Sequence, residues 1–114
     1  MKKLEGVKDD MIANNLQPFE PVHPGPSIKE EIEFRGISQR QLAKEMDVSY
    51  SVLNEVLNGK RPVTTEYALL LEAALSIDAD IWIHMQADYD KQMAQNNKPF
   101  AKKLEQIRKF AAML

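Results

Sequence analysis

Residues 38–61 read SQRQLAKEMDVSYSVLNEVLNGKR and predict two short helices joined by a tight turn. Ser38 and Gln41 have the spacing of a capping box, in which the Ser38 hydroxyl accepts from the Gln41 N–H and the Gln41 side chain reaches back to the Ser38 N–H. Apolar residues then recur at helical spacing and predict a first helix over about 39–46. Because helices shorter than roughly a dozen residues are marginal in water, the pair needs neighbouring elements.

The second helix of the pair presents an unusual exposed face. Ser49 is its predicted N-cap, and Asn58-Gly59 is expected to end it. Its exposed side chains carry hydrogen-bonding groups of the kind that read base edges in the major groove, and two cations follow directly. A small helical domain with a solvated polar face has the same spacing, since such pairs also occur without DNA. The predicted DNA-binding residues are Gln39, Arg40, Ser49, Tyr50, Ser51, Asn54, Glu55, Lys60 and Arg61.

The chain before this unit divides into an arm and a further helix. Residues 1–22 form an N-terminal arm that either lacks structure or packs on a partner. His23-Pro24-Gly25-Pro26 predicts a turn, and Ser27 with Glu30 predicts a capping box that opens a helix over about 28–35. That helix is expected to bury Ile28, Ile32 and Phe34. We expect His23 to be structural, because the only other histidine, His84, is far away in the sequence and no metal-ligand cluster is apparent.

Two helices are predicted after the central pair. Thr64 caps a strongly apolar helix near 65–75, and Asp78 caps a fifth helix. The fifth helix carries two apolar lines on different faces. One line is expected to enter the core and consists of Trp82, Met85, Tyr89 and Met93; the other suggests a dimer surface and consists of Ile83, Ala87 and Ala94.

Residues 98–114 predict an additional amphipathic helix after a boundary at Asn96-Asn97-Lys98-Pro99. Its apolar stripe is Phe100, Leu104, Ile107, Ala111 and Leu114, with basic side chains on the other sides. The stripe should dock on this domain, on a second subunit or on another protein. A basic amphipathic helix can also lie on a membrane surface, although this one is short.

The motifs together resemble the Xre/Cro-type helix-turn-helix family, and within it the HigA/VapI branch of antitoxins. The resemblance covers about residues 19–95 and includes HPG at His23–Gly25, S-Q at the first helix of the pair, NEVLNGKR at Asn54–Arg61 and Ile81-Trp82 on the fifth helix. Val52 and His84 depart from the pattern of the family, which puts the operator sequence in doubt. The resemblance implies binding of a palindromic operator as a homodimer and neutralisation of a HigB-like toxin, an mRNA endonuclease.

Composition limits the other function classes. The chain has 114 residues and no cysteine, which suits one domain of 23–97 with short extensions and excludes disulfides and thiolate metal sites. It has neither an apolar run of membrane-spanning length nor the apolar core of a signal peptide, and we expect a cytoplasmic protein. No nucleophile lies near a base in the sequence and glycines do not cluster, so we expect neither an enzyme nor a cofactor.

Charge is distributed unevenly along the chain. Residues 62–97 contain one basic and six acidic side chains, and residues 98–114 contain five basic and one acidic, so their balances are −5 and +4. The acidic part should point away from DNA. The sequence therefore predicts an all-α, five-helix DNA-binding domain with an N-terminal arm and a C-terminal helix, acting as a dimeric antitoxin. A phage-type repressor without a toxin, and a protein-interaction adaptor that does not bind DNA, are the alternatives.

Overall fold

The computed structural model describes residues 20–114, which form six α-helices and no strand. The predicted all-α fold with an additional C-terminal helix is confirmed, whereas most of the predicted N-terminal arm, residues 1–19, lies outside the described residues. The helices are α1 (Pro24–Phe34), α2 (Gln39–Met46), α3 (Tyr50–Leu57), α4 (Thr65–Leu75), α5 (Ala79–Gln95) and α6 (Lys98–Ala112).

Side-chain caps set where the helices α2 to α5 begin. Each predicted cap accepts a hydrogen bond from a backbone N–H of the first turn and so satisfies a donor that has no partner in the helix. The oxygen-to-nitrogen distances are 3.0 Å for Ser38 and Gln41, 3.3 Å for Ser49 and Val52, 3.1 Å for Thr64 and Tyr67, and 2.9 Å for Asp78 and Asp80. In the described part of the chain the return bond from the Gln41 side chain to the Ser38 N–H does not form, so that capping box is only half made.

The predicted start of α1 is wrong. The helix begins at Pro24, four residues before the predicted position, and Ser27 lies inside its first turn rather than at its cap. The N-cap is His23, whose Nδ1 accepts from the Gly25 N–H at 2.8 Å. Pro24 is well suited to the first helical position because it has no N–H to satisfy there. The HPG sequence is therefore a helix start and not a turn.

His23 also connects three parts of the domain. Its Nε2–H donates to the Arg61 carbonyl in the loop after α3 at 3.0 Å, and its ring meets the Tyr89 ring of α5 edge to face at 5.0 Å between centroids. Gly25 lies against α3 so closely that a Cβ there would collide with the Val56 carbonyl oxygen. We call this set of contacts the His23 joint. It fixes α1 relative to α3 and α5.

The core lies between α1 and the helices α2 to α5. Its fully buried members are aliphatic, and burying each isoleucine or leucine among them stabilises the fold by about 1.5–3 kcal/mol. They include Ile28, Ile32, Leu53, Leu57, Ala68 and Leu71, with Trp82 nearly as buried. Phe34 is not among them, since 89% of it is exposed and its predicted burial is wrong. On a helix Phe34 is rotated about 200° from Ile32, so the face that buries Ile32 turns Phe34 to solvent.

Helix α6 contacts α5, the helix before it in the chain, and contributes no buried residue. Ala101 and Leu104 are half-buried, whereas the remainder of its apolar stripe is exposed. The predicted docking of this stripe is therefore not made within residues 20–114. None of the described helices combines the length and the apolar character needed to cross a bilayer.

We expect the His23 joint to make stability depend on pH. Burial lowers the pKa of His23 below its usual 6.5, although the bond to the Arg61 carbonyl and the nearby Asp90 carboxylate act in the opposite direction. Protonating Nδ1 would also remove the acceptor for the Gly25 N–H. The contribution of neutral His23 should thus be complete above about pH 6.5 and be lost as the pH falls through the lowered pKa of the folded state.

Urea unfolding of wild type, His23→Asn and His84→Asn between pH 7 and pH 5 measures this dependence. The His23→Asn protein should show a shallower fall in unfolding free energy than wild type. His84→Asn is the matched control, because His84 is exposed on α5, and it should keep the wild-type slope. Equal slopes in all three proteins would contradict the role given to His23.

Candidate nucleic-acid interface

The structure places four of the predicted residues on the exposed side of α3. Tyr50 and Ser51 are exposed at the start of this helix, and Asn54 and Glu55 are half-buried one turn later. The opposite side of α3 buries Leu53, Val56 and Leu57 in the core. The core contacts therefore orient the polar side of α3 outward, as the spacing predicts.

An amide network joins α2 and α3. The Asn54 Nδ2 donates to the Gln39 Oε1 at 2.9 Å, and the Asn58 Nδ2 donates to the Asn54 carbonyl oxygen at 2.9 Å and to its Oδ1 at 3.2 Å. Lys29 of α1 donates to the Asn58 Oδ1 at 3.3 Å. Each amide keeps unused donors or acceptors in this arrangement, because a primary amide has two N–H groups and two lone pairs. The network holds the Asn54 and Gln39 side chains in fixed positions while leaving hydrogen-bonding capacity for a ligand.

The first turns of α2 and α3 meet through side chains as well. The Arg40 guanidinium lies over the Tyr50 ring, 4.3 Å from its centroid, in a cation–π contact. The Ser49 and Ser51 hydroxyls are 3.0 Å apart and hydrogen-bonded to each other. These contacts bring Arg40, Ser49, Tyr50 and Ser51 together at one end of the candidate interface.

The two cations after α3 differ in their surroundings. The Arg61 guanidinium forms an ion pair with the Glu55 carboxylate. The backbone carbonyl of Arg61 accepts a hydrogen bond from His23. Lys60 is exposed, and no carboxylate of residues 20–114 pairs with it. A phosphate would therefore meet the full charge of Lys60, whereas Arg61 is partly neutralised by Glu55. Glu55 is thus paired with Arg61 on the surface beside α3.

A small cleft of about 260 Å³ lies behind the two cations and includes His23, Gly59, Tyr89 and Asp90. Gln86 is buried at its edge, where its Oε1 accepts from the Val63 N–H at 2.8 Å and its Nε2 donates to the Asp90 carboxylate at 3.0 Å. The bond to Val63 holds the loop after α3 against α5. Lys60 is held to α3 by its backbone N–H, which donates to the Glu55 carbonyl oxygen at 2.8 Å.

Tyr67 of α4 adds a buried polar atom near the same loop. Burial raises the pKa of its phenol, although the Arg61 charge acts in the opposite direction. The Tyr67 hydroxyl and the Trp82 Nε1 have no hydrogen-bond partner among the described residues. Within residues 20–114 no group of three or more His, Cys, Asp or Glu side chains could hold a metal ion.

Sequence reasoning missed Lys29 and Asn58 as parts of this surface. The sequence predicts Asn58 only as the residue that ends α3, although its amide also completes the network with Asn54. Lys29 is on α1, and its distance of 29 residues from Asn58 in the chain leaves no local signal. The NGKR sequence was a partial signal, because it places Asn58 and the two cations together.

Comparison with known proteins identifies the family. Residues 28–82 match the helix-turn-helix family. Virulence-associated protein I of Dichelobacter nodosus is 38% identical over 78 residues, which are 68% of this chain and 72% of that protein.

Solved structures extend the match over most of the chain. An addiction module antidote protein of the HigA family from Coxiella burnetii is 34% identical with a TM-score of 0.68, and the match covers 77% of this chain and 95% of that one. The Pseudomonas aeruginosa antitoxin HigA, solved with the higBA promoter, is 25% identical with a TM-score of 0.68 and coverages of 76% and 94%. The resemblance predicted from the HPG and NGKR motifs is confirmed, and this chain belongs to the HigA/VapI branch of the Xre/Cro-type helix-turn-helix family.

Proposed function

We propose that this protein is the antitoxin of a HigB/HigA-type toxin–antitoxin pair. It binds a palindromic operator as a homodimer, represses its own operon and neutralises an mRNA-endonuclease toxin by direct binding. The observation that carries the DNA-binding part is the amide network of Gln39, Asn54 and Asn58, because it exposes fixed hydrogen-bonding groups on a short helix beside a cation. The HigA relative solved with promoter DNA supports the same role.

Reading of the operator is assigned to the exposed side of α3. A helix presented in this way fits the major groove, with its first residues nearest the bases. An Asn or Gln amide can bond an adenine edge in a bidentate manner, and each good contact is worth roughly 1–3 kcal/mol of discrimination. Because the network already fixes Asn54 and Gln39, little side-chain entropy is lost on binding. Ser49 and Ser51 add hydroxyl groups, and Tyr50 adds an apolar surface for a thymine methyl group.

Positioning on the phosphate backbone is assigned to cations around α3. Lys60 is the principal contact, since its charge is not neutralised by a carboxylate of the described chain. Lys29 contacts Asn58 at the end of α3 and Arg40 contacts Tyr50 at its start, so both can contact flanking phosphates. Arg61 contributes less than Lys60 because Glu55 neutralises part of its charge. Such contacts hold the protein on DNA of any sequence.

We assign toxin binding to the acidic segment of residues 62–97. This segment holds six acidic side chains and one basic one, so it suits a basic RNA-cleaving protein better than it suits DNA. Co-expression with the neighbouring gene, followed by affinity purification through this chain, tests the assignment. A small basic protein that co-purifies supports the antitoxin, whereas operator binding without such a partner indicates a repressor that stands alone. Absence of both activities indicates an interaction adaptor.

Substitutions at Asn54 and Lys60 should separate reading from positioning. Asn54→Ala should weaken operator binding much more than binding of scrambled duplex, because it removes a base contact and the network bond to Gln39. Lys60→Ala should weaken both by a similar factor and reduce the salt dependence by about one counterion. Titration of each variant with both duplexes across a salt series gives these quantities.

Lys91→Ala is the matched control, because Lys91 is an exposed lysine on the acidic helix α5. It should leave both affinities and the salt slope at wild-type values. The assignment of α3 fails if Asn54→Ala and Lys60→Ala reduce both affinities in the same ratio.

Neutralising Asp88 and Asp90 should test the orientation. The double variant Asp88→Asn, Asp90→Asn keeps the shape of both side chains, and an amide oxygen can still accept from Gln86. We expect operator affinity not to fall by more than about twofold, because removing acidic charges takes away no phosphate contact, and we expect weaker capture of the toxin. A large loss of operator affinity, measured in the same titration, would show that this surface faces DNA.

A further inference from the structure

The ion pair between Glu55 and Arg61 joins the exposed side of α3 to the loop that carries the cations. Glu55 is on α3, one turn after Ser51, and Arg61 directly follows Lys60. Solvent reaches 44% of the Glu55 side chain and 54% of the Arg61 side chain. In the proposed complex with DNA, the pair therefore connects a side chain beside the bases to a side chain beside the phosphates.

A single hydrogen bond holds the pair. The Arg61 Nε donates to one carboxylate oxygen of Glu55. Within residues 20–114, the other oxygen of Glu55 and the two terminal nitrogens of Arg61 have no hydrogen-bond partner. The backbone is held independently, because His23 donates to the Arg61 carbonyl and the Lys60 N–H donates to the Glu55 carbonyl. The two side chains can therefore separate while the loop stays in place.

DNA that offers no base contact to Glu55 should leave the pair intact. If Arg61 moved to a phosphate on such DNA, the Glu55 carboxylate would lose its partner in the negative potential of the duplex. The phosphate contact would then be offset by an unpaired like charge. Arg61 instead stays with Glu55 and adds little attraction to DNA of any sequence.

A base with an amino group in the major groove changes this balance. The N4 amino group of cytosine is the donor that suits a glutamate side chain. An exposed ion pair shifts an equilibrium by a factor of about five at most, whereas a good base contact is worth a factor of roughly 5 to 150. The base contact therefore outweighs the ion pair, and Arg61 becomes free to bind a phosphate.

We propose that Glu55 couples the reading of a cytosine to a phosphate contact made by Arg61. On the operator, Glu55 accepts from the cytosine amino group and releases Arg61, whereas on other DNA the pair stays intact. Glu55 is thus a specificity-determining residue that acts partly through Arg61. This inference rests on the proposed reading of DNA by α3, and it adds a phosphate contact that is made only on the operator.

The salt dependence of binding tests this coupling, because each phosphate contact releases about one counterion. The full chain is titrated across a salt series with a duplex from the promoter of its own gene and with a scrambled duplex of the same composition. Two variants are compared with wild type. Glu55→Gln removes the charge that holds Arg61, and the double variant Glu55→Gln, Arg61→Gln removes both charges and so keeps the net charge of the protein.

Glu55→Gln should free Arg61 on DNA of any sequence. On the scrambled duplex we expect the salt slope to increase by about one counterion per protomer and the affinity to rise about three- to eightfold per protomer at 0.1 M salt, where a full counterion is worth about eightfold. The slope on the promoter duplex should stay at the wild-type value, because Arg61 is already free there. Loss of structure would lower affinity and cannot produce this rise.

The double variant should show the opposite pattern. On the scrambled duplex its affinity and slope should equal those of wild type, since a neutral pair replaces a neutralised one. On the promoter duplex its slope should fall by about one counterion per protomer, and its affinity should fall by about eightfold or more per protomer.

Glu31→Gln is the matched control. It breaks a comparable exposed ion pair between Glu31 and Arg35 of α1, whose atoms are 2.7 Å apart. Arg35 keeps its second bond, to the Leu75 carbonyl at the end of α4. Both slopes should stay at wild-type values in this variant.

The coupling is overturned if Glu55→Gln leaves the slope on the scrambled duplex unchanged, or if the double variant keeps the wild-type slope on the promoter duplex. With either result, a wild type that prefers the promoter duplex leaves the proposed function standing. A wild type that binds both duplexes equally overturns the proposed reading of DNA and the coupling together.

Discussion

The imidazole of His23 is the contact on which the arrangement of this domain depends. One nitrogen accepts from the Gly25 N–H and starts α1, and the other donates to the Arg61 carbonyl and holds the loop that follows α3. Both bonds require one neutral tautomer, with its proton on Nε2. Burial against Tyr89 favours that neutral form, since a charged ring would lose its hydration. A single uncharged side chain thus caps the start of α1 and bonds to a loop 38 residues later in the chain.

The candidate interface depends on this joint for its position. The loop held by His23 carries Lys60, and the helix that Gly25 touches carries Asn54 and Glu55. A shift of α1 away from α3 would also separate Lys29 from Asn58. The amide network and the Glu55–Arg61 pair then set the chemistry locally: they fix amides for reading and limit the free positive charge near α3. Less free charge weakens attraction to DNA of any sequence, so base contacts make up a larger share of the affinity.

The parts of the fold that could be predicted are those determined by residues close together in the chain. Ser38, Ser49 and Thr64 each cap a helix through an N–H three residues later, so the sequence contains both partners of each bond. Apolar spacing likewise predicted the buried side of α3. The same spacing also predicted the polar side of α3, because the residues of this helix that are not buried must face solvent. The predicted burial of Phe34 was wrong, because helical spacing places Phe34 about 200° around the helix from the buried Ile32.

The parts that could not be predicted are those determined by contacts between distant residues. Ser27 has the residue type and spacing of an N-cap, yet His23 takes that role because the Arg61 carbonyl and Tyr89 lie beside it in the fold. The pairing of Asn54 with Gln39 needs the angle between α2 and α3, which no local pattern contains. Arg61 is a strong phosphate candidate in the sequence, and only the fold shows that Glu55 holds it. The partner of α6 is the feature that the sequence predicts least, because an apolar stripe on a helix does not identify the surface that covers it.

The unfolding free energy of Gly25→Ala tests the His23 joint most directly, because two physical effects predict opposite signs. Helix propensity alone favours alanine in α1 and would raise the stability by up to about 1 kcal/mol. The close approach of Gly25 to the Val56 carbonyl leaves no room for a methyl group, so we predict a loss of about 2 kcal/mol or more in urea unfolding. Ser27→Ala, in the same turn, should change little and serves as the control. A Gly25→Ala protein as stable as wild type, or more stable, would contradict the account.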